Sequence, residues 1–163
     1  MRRLAQFLFN LLVADVAGQR PPDFKVGAHD VAGAYLRRWY LVPRNPVLNV
    51  YLHHFLRSDD DRALHDHPWP WASLLLRGRY IEHTIAAGGV HRRDERHLGS
   101  LKLALPSRAH RVEVLPGESC WTLFITGPRV REWGFHCPEQ GWIHFKRFTK
   151  AGAYSERGSG CEG

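Results

Sequence analysis

Cysteine is scarce in this sequence: the 163 residues contain three cysteines, and no two of them form a C-x-x-C pair. A small, odd number of cysteines argues against a disulfide framework and favours a reducing compartment such as the cytosol. A chain of this length can bury a sufficient core without disulfides or metals. We therefore expect one domain that its hydrophobic core stabilises.

Long apolar runs are also missing, since no segment approaches the roughly 20 residues that cross a bilayer. The N-terminus is similar to a secretory signal in placing two arginines before an apolar run, but Gln6 and Asn10 interrupt that run. Its apolar residues recur at helical spacing: Leu4, Phe7, Leu8, Leu11 and Leu12. We expect an amphipathic helix that packs on a soluble, cytoplasmic domain with no membrane partner.

Acidic residues are too few to balance the arginines, and the formal net charge is +7. Such a charge permits attraction to nucleic acid or to anionic small molecules, but it specifies neither. The sequence has no recognised nucleic-acid motif and no long basic arm. A nucleic-acid partner is therefore not favoured, and we interpret the short basic clusters at 35–40 and 91–97 as mostly solvated surface.

Helical periodicity is almost absent after residue 45, where short apolar runs and period-two alternation are separated by glycine and proline turns. This pattern predicts a mainly all-β chain, folded as an antiparallel sandwich or barrel. We expect residues 1–46 to form a helix and a connecting segment packed on the barrel, 47–149 to form the barrel, and 150–163 to be a flexible tail. Exposed barrel edges make a homodimer plausible.

The stretch HDH at residues 65–67 has the spacing of a metal site. Successive strand side chains point to opposite faces, so His65 and His67 share one face while Asp66 points away. Neutral imidazole binds iron, zinc, copper and nickel. With 11 histidines, however, chance alone gives roughly one H-x-H. His110, at the start of a later strand, is either a third ligand or a strand-end histidine that hydrogen-bonds a neighbour.

The stretches HDHPWPWASLLLRG and LPSRAHRVEVLPGE resemble the two motifs of the cupin superfamily, over roughly residues 47–126. LHDHPW, WTLFITGP and REWGFHCPEQGWIHF are similar to an uncharacterised family of small cupin-like proteins found in bacteria and their phages. The resemblance implies a cupin-type antiparallel β-barrel, or double-stranded β-helix, with the N-terminal helical segment outside it. His65 and His67 then match the paired histidines, Gly78 the closing glycine, and His110 the histidine of the second motif.

The sequence departs from the cupin pattern at the glutamate ligand, whose usual place is taken by Trp71 and Ala72. The resemblance then implies a three-histidine site, as in some cupin-like enzymes such as the thiol dioxygenases. Three neutral ligands leave a divalent ion its full charge and open positions for an anionic substrate, dioxygen or water. We favour Fe(II), with zinc, nickel or manganese as alternatives. Glu82 could supply a carboxylate, either as a ligand or in support of one.

Other residues are candidates for the surroundings of this centre: Trp69, Trp71, Trp121, Arg77 and Arg79 as pocket residues, and His53 and His54 as supporting groups. The tryptophans would exclude water and the arginines would hold an anionic group. Core packing and exposed hairpin positions are the ordinary alternatives. The two adjacent histidines lie on opposite faces of one strand, so only one of them can face inward.

The sequence supports a metal-binding cupin, either a metal-dependent, Fe-type oxygenase or a related small-molecule enzyme. One alternative is a non-catalytic module that binds a small ligand, and a third is a protein associated with nucleic acid or modified nucleotides. The aromatic segment 131–145 is expected to cover the barrel edge or mouth. No general base can be assigned from the sequence.

Overall fold

The computed structural model describes residues 1–27, 33–59, 63–149 and 160–162, and it is mostly β-structure with an N-terminal helix, as the sequence predicts. Helix α1 (Arg2–Leu12) continues into a π-helical turn at Val13–Ala17, α2 spans Phe145–Phe148, and 3₁₀ turns lie at Ala87–Gly89 and Gly160–Glu162. The strands are β1 (Phe24–Val26), β2 (Leu36–Tyr40), β3 (Asn49–Phe55), β4 (Leu64–His65), β5 (Trp71–Arg77), β6 (Tyr80–Ile85), β7 (His91–Arg96), β8 (Leu101–Ala104), β9 (Arg111–Glu113), β10 (Cys120–Thr126), β11 (Gly134–Cys137) and β12 (Gly141–His144).

The strands form one large sheet and two small ones, and the neighbouring strands are antiparallel. The large sheet has the order β1-β2-β3-β10-β5-β8, and the small sheets have the orders β12-β11-β4 and β7-β6-β9. An isolated antiparallel bridge between His65 and His110 joins the two small sheets. The large sheet and the joined small sheets line a common cavity. The prediction of an antiparallel barrel is confirmed.

Alternation along the central strands separates a packing face from a cavity face. Leu52 on β3 and Leu74 on β5 pack with Phe9 of α1 on the outer face of the large sheet. Tyr51 on β3, together with Trp71 and Phe124, forms a second cluster on the inner face. The inner face is therefore aromatic, and the outer face is covered by the first helix.

The predicted N-terminal helix is present, but it packs through only part of the face that the sequence indicates: Leu8 and Leu12 contact the core, together with Ala5 and Phe9. Ala5 and Phe9 are buried, whereas Leu4, Phe7 and Leu11 are 48%, 64% and 45% exposed. The small Ala5 side chain lets the helix backbone approach the sheet, and Phe9 meets Trp121 there. Among the described residues, α1 and the other helices are all too short or too polar to cross a membrane.

The segment before residue 47 contributes more than a connection. Strands β1 and β2 both belong to the large sheet, and β2 pairs with β3 from Leu36 opposite Phe55 to Tyr40 opposite Tyr51. This pairing adds Arg38 and Tyr40 to the cavity lining. The sequence pattern did not predict these strands, since residues 33–40 mix small, charged and aromatic side chains.

Cys137 on β11 and Cys161 form a single disulfide, which the small, odd number of cysteines did not predict. Cys120 is a free, buried thiol. The number of cysteines does not show which of them the fold brings together, and three cysteines are enough for one disulfide. The disulfide also removes the support that cysteine usage gave to a reducing setting. Most of the tail predicted to be flexible, residues 150–159 and 163, lies outside the described residues.

Gly78 illustrates a turn that the fold makes intolerant of a side chain. Its φ is +80°, and a Cβ there would lie 2.3 Å from the Ser119 carbonyl oxygen. Gly117 has a similar φ of +77°, but a Cβ there would have no other atom within 4 Å. We expect Gly117→Ala to lower the free energy of unfolding by about 1–2 kcal/mol, because alanine is strained in this backbone conformation. Gly78→Ala should lower it by about 1–3 kcal/mol more because of the clash with Ser119. Urea unfolding of both variants measures these losses, and an equal loss of stability in the two variants would contradict the prediction.

Candidate metal centre

Backbone pairing gathers the three histidines that the sequence selects. His65 is the last residue of β4, and its N–H donates to the His110 carbonyl at 2.9 Å while the His110 N–H donates back at the same distance. His67 lies two positions after His65, and its N–H donates to the Pro106 carbonyl at 3.0 Å. The first motif is thereby fixed to the segment that carries the second.

The three imidazoles converge at the cavity wall. His67 Nε2 lies 2.9 Å from His110 Nε2, and one ring nitrogen from each of the three histidines lies within 4.8 Å of the others. His65 Nδ1 is buried, lies 3.7 Å from Asp59 Oδ2 and has no hydrogen-bond partner among the described residues. Three imidazole nitrogens this close form a donor set suited to one divalent ion.

Burial keeps these histidines in the neutral form that binds metals. It lowers the pKa of His65 to about 3, with a further contribution from His110, and holds the pKa of His67 well below its usual value. Burial also lowers the pKa of His110, although the neighbouring Glu82 carboxylate opposes this shift. Each ring therefore offers a lone pair without first losing a proton at neutral pH.

Glu82 on β6 lies behind His110. Its side chain is fully buried, and its Oε1 accepts a hydrogen bond from His110 Nδ1 at 2.9 Å. This bond places the His110 proton on Nδ1 and leaves Nε2 free to face His67. The structure thus puts Glu82 in contact with one of the three histidines, rather than in the group of converging nitrogens.

Two cations compensate the charge of Glu82. Arg96 Nη2 donates to Oε2 at 2.8 Å, and Lys102 Nζ contacts Oε1. Burial opposes ionisation of this carboxyl, but the hydrogen bond from His110 and the positive charge of Lys102 outweigh it and lower the pKa of Glu82 to about 2. The carboxylate is therefore ionised while it orients His110.

Asp66 points away from the cavity, as strand alternation predicts, and it anchors the aromatic segment 131–145. Its buried carboxylate accepts from Arg131 Nη1 at 2.7 Å, from the Gly134 N–H at 2.8 Å and from Trp142 Nε1 at 3.0 Å. The same segment pairs with β4 through Phe135 opposite His65. One acidic residue thus fixes the first histidine motif to the segment that covers one side of the cavity.

The cavity has a volume of about 980 Å³, which is enough for a small organic molecule. His65, His67 and His110 line it together with Tyr51, Trp71 and Phe124, and Trp133 and Phe135 line it from the covering segment. The wall around the histidines is therefore largely aromatic.

The tryptophans predicted to line the pocket divide between two faces. Trp69 and Trp71 line the cavity. Trp121 does not, because it lies on the outer face of β10, stacked on His54 at 3.9 Å and on Trp39 at 5.6 Å. Its neighbour Thr122 takes the inward position. The placement of Trp121 in the pocket is corrected, since a one-residue step along a strand reverses the face.

The two arginines flanking Gly78 also lie outside the cavity. The Arg77 guanidinium is 5.0 Å from the centre of the Phe9 ring, on the α1 side of the sheet. Arg79 pairs with Glu118 at 2.7 Å on the exposed surface. The prediction that they hold an anionic group in the pocket is therefore corrected: both arginines are turned towards outer-surface partners.

Of the adjacent histidines on β3, His53 faces the cavity and His54 faces outward. His53 is buried, stacks on Phe124 with ring centres 5.1 Å apart, and accepts a hydrogen bond at Nε2 from Arg38 Nε at 2.8 Å. Sequence reasoning missed Arg38 because β2 was not predicted. Alternation along a strand paired with β3 would have indicated that it shares a face with His53.

Comparisons with known proteins identify the fold. No protein-family model and no curated protein sequence matches the chain. Solved structures do, among them the polyketide cyclase RemF of Streptomyces resistomycificus, at 15% identity and a TM-score of 0.51, with 69% of this chain and 80% of that one covered.

Two other structures have similar scores. A protein of Ralstonia eutropha JMP134 named after mannose-6-phosphate isomerase is 18% identical over 65% of this chain and 92% of its own, with a TM-score of 0.50. HppE, solved with Fe(II) and its substrate, is 16% identical over 66% of this chain and 56% of its own, with a TM-score of 0.51. At these identities the likeness concerns the fold alone.

Proposed function

We propose that this chain, which has the cupin fold, a double-stranded β-helix, is a metal-dependent enzyme that acts on a small molecule bound in the cavity. One observation carries this proposal: three neutral histidines bring one ring nitrogen each within 4.8 Å of the others at the cavity wall. His65, His67 and His110 would hold the ion. The closure of the site on one side by an aromatic segment fits chemistry that excludes bulk water.

The surrounding residues have defined tasks in this proposal. Glu82 holds the Nδ1 proton of His110, so that the other ring nitrogen stays available. Trp71 stacks on the His110 ring with ring centres 4.7 Å apart, and the Phe124 and His67 ring centres are 5.9 Å apart. These aromatic rings restrict how the imidazoles can turn, and they present an apolar surface to a substrate.

We favour Fe(II) and an oxygenase-type reaction over the other metals. A bound ion would act as a Lewis acid with open positions for substrate and oxygen, because the three ligands are neutral and few. HppE, which shares the fold, was solved with Fe(II). Zinc, nickel and manganese suit the same donor set, so the choice among them is a matter for measurement.

Elemental analysis of the purified protein tests the site directly. We expect about one equivalent of a divalent metal in the wild type, and its loss in His65→Ala and His110→Ala, because each substitution leaves two of three ligands. His54→Ala is the matched control, since His54 lies on β3 of the large sheet and stacks on Trp121 at its outer face. Unchanged metal content in His65→Ala would remove the assignment.

Thermal melting separates the enzyme from a metal-free binding module. A metal at about 100 times its Kd should stabilise the folded state by about 2.7 kcal/mol through mass action. Added Fe(II) or Zn(II) is expected to raise the Tm of chelator-treated wild type and to leave that of His110→Ala unchanged. If the Tm of the wild type were the same with and without added metals, the result would favour a binding module in which the histidines act only as hydrogen-bonding groups.

A further inference from the structure

The cavity contains a guanidinium without a carboxylate partner. Arg38 on β2 lines the cavity, and among the described residues its hydrogen-bond partner is His53, through Nε. No carboxylate in the described part of the chain pairs with it, in contrast to Arg79 and Arg96, which bind Glu118 and Glu82. Arg38 is half-buried, and a cation partly removed from water without a counter-charge is costly, which favours an anionic partner from outside the protein.

Arg38 is held in one orientation. Its Nε donates to His53 Nε2 at 2.8 Å, and its guanidinium carbon lies 5.0 Å from the centre of the Tyr51 ring. His53 is itself fixed between Tyr51 and Phe124, with which it stacks at 5.8 and 5.1 Å. Since Nε is occupied, the two terminal nitrogens remain as a fork of parallel donors.

The fork lies near the histidine cluster. The centre of the Phe124 ring lies 5.1 Å from that of His53 and 5.9 Å from that of His67, so His53 and Phe124 connect Arg38 to the candidate metal centre. Burial and the neighbouring histidines lower the pKa of His67, and the Arg38 charge lowers it further. Arg38, His65, His67 and His110 line one cavity of about 980 Å³, which is large enough to hold a substituted benzene ring.

We propose that Arg38 binds the carboxylate of the substrate, and that the substrate is an aromatic or apolar carboxylic acid whose other end reaches His65, His67 and His110. A single fork with two donors matches the two oxygens of a carboxylate. The aromatic rings of Tyr51, Trp71 and Phe124 line the space between. The inference rests on the proposed function in taking this cavity as the substrate site, but the carboxylate contact itself requires no metal.

Isothermal titration of chelator-treated full-length protein tests this contact. The probes are benzoate, its neutral isostere benzamide, and phenyl phosphate. Benzoate is expected to bind at least about tenfold more tightly than benzamide, the effect of a charged hydrogen-bonded pair in a partly buried site. Arg38→Gln should abolish this difference, and Arg38→Lys should retain part of it because the charge remains without the fork.

Arg37→Gln is the matched control, since Arg37 is the exposed neighbour of Arg38 on β2 and is not among the residues that line the cavity. Its benzoate affinity should stay within about twofold of the wild type. Equal affinity for benzoate and benzamide, no saturation by benzoate at about 10 mM, or unchanged selectivity in a folded Arg38→Gln protein would overturn the proposal. Tighter binding of phenyl phosphate than of benzoate would overturn the carboxylate assignment in favour of a phosphate.

Metal content measured on the same variants keeps the two proposals apart. Arg38→Gln is expected to retain the metal and lose the selectivity for benzoate. His65→Ala is expected to lose the metal and retain the selectivity for benzoate. Complete loss of selectivity in Arg38→Gln and partial loss in Arg38→Lys, with the Tm of both variants unchanged, would place the effect at the guanidinium rather than in the folding of β2. A protein that selects benzoate but never binds metal would retain the Arg38 inference and refute the metal centre.

Discussion

Replacing Glu82 by alanine is expected to lower the free energy of unfolding by about 3–5 kcal/mol, the range for breaking a buried ion pair from one side. The side chain of Glu82 is fully buried, and its removal leaves Lys102 and Arg96, with side chains 13% and 28% exposed, without their carboxylate. His110 Nδ1 also loses its acceptor. Urea unfolding followed by tryptophan fluorescence measures the loss.

The same substitution should weaken metal binding by about 10–100-fold, because the partner that orients a ligand histidine is lost. Glu82→Gln keeps the shape and one acceptor, and we expect it to retain more stability than Glu82→Ala. Glu118→Ala is the control: it breaks an ion pair with Arg79 at the surface, which contributes about 1 kcal/mol or less. A loss below about 1 kcal/mol in Glu82→Ala would show that its two cations find water or other partners.

Replacing Asp66 by alanine is the second change with a large expected effect. It leaves the buried Gly134 N–H and the Trp142 indole N–H without their acceptor and removes the counter-charge of Arg131. The buried Gly134 N–H without an acceptor costs about 1–3 kcal/mol, and the partly exposed Trp142 and Arg131 donors add less, so we expect a total loss of about 2–3 kcal/mol. The segment 131–145 should loosen from β4, and hydrogen exchange at Gly134 and Phe135 should accelerate.

Glu132→Ala is the matched control within the same segment. Glu132 is 55% exposed and pairs with Arg129 and His144 at the surface, so its loss should cost less than about 1 kcal/mol. Protection of the segment should then stay near that of the wild type. If Asp66→Ala left exchange at Gly134 unchanged, the pairing of β11 with β4 and β12 would be sufficient to hold the segment without the carboxylate.

Local alternation was enough to predict several features of the site. A period of two places His65 and His67 on one face and Asp66 on the other, and it allows only one of His53 and His54 to face inward. The resemblance to cupin motifs selected His110 and Gly78 from many other histidines and glycines. These features could be predicted because each depends on a few consecutive residues or on a recognisable motif.

The sequence by itself thus determined the mainly β composition, the amphipathic first helix and the short stretches in which the candidate ligands lie. Only the tertiary structure decided that Glu82 contacts His110, that Arg38 lies against His53, that Trp121 faces α1 and that Cys137 pairs with Cys161. Alternation is a local property of the chain, whereas these contacts join segments 15 to 112 residues apart or depend on which sheet face the helix covers. Strand pairing and layer packing choose such neighbours through the combined burial of distant segments, which no single stretch of sequence specifies.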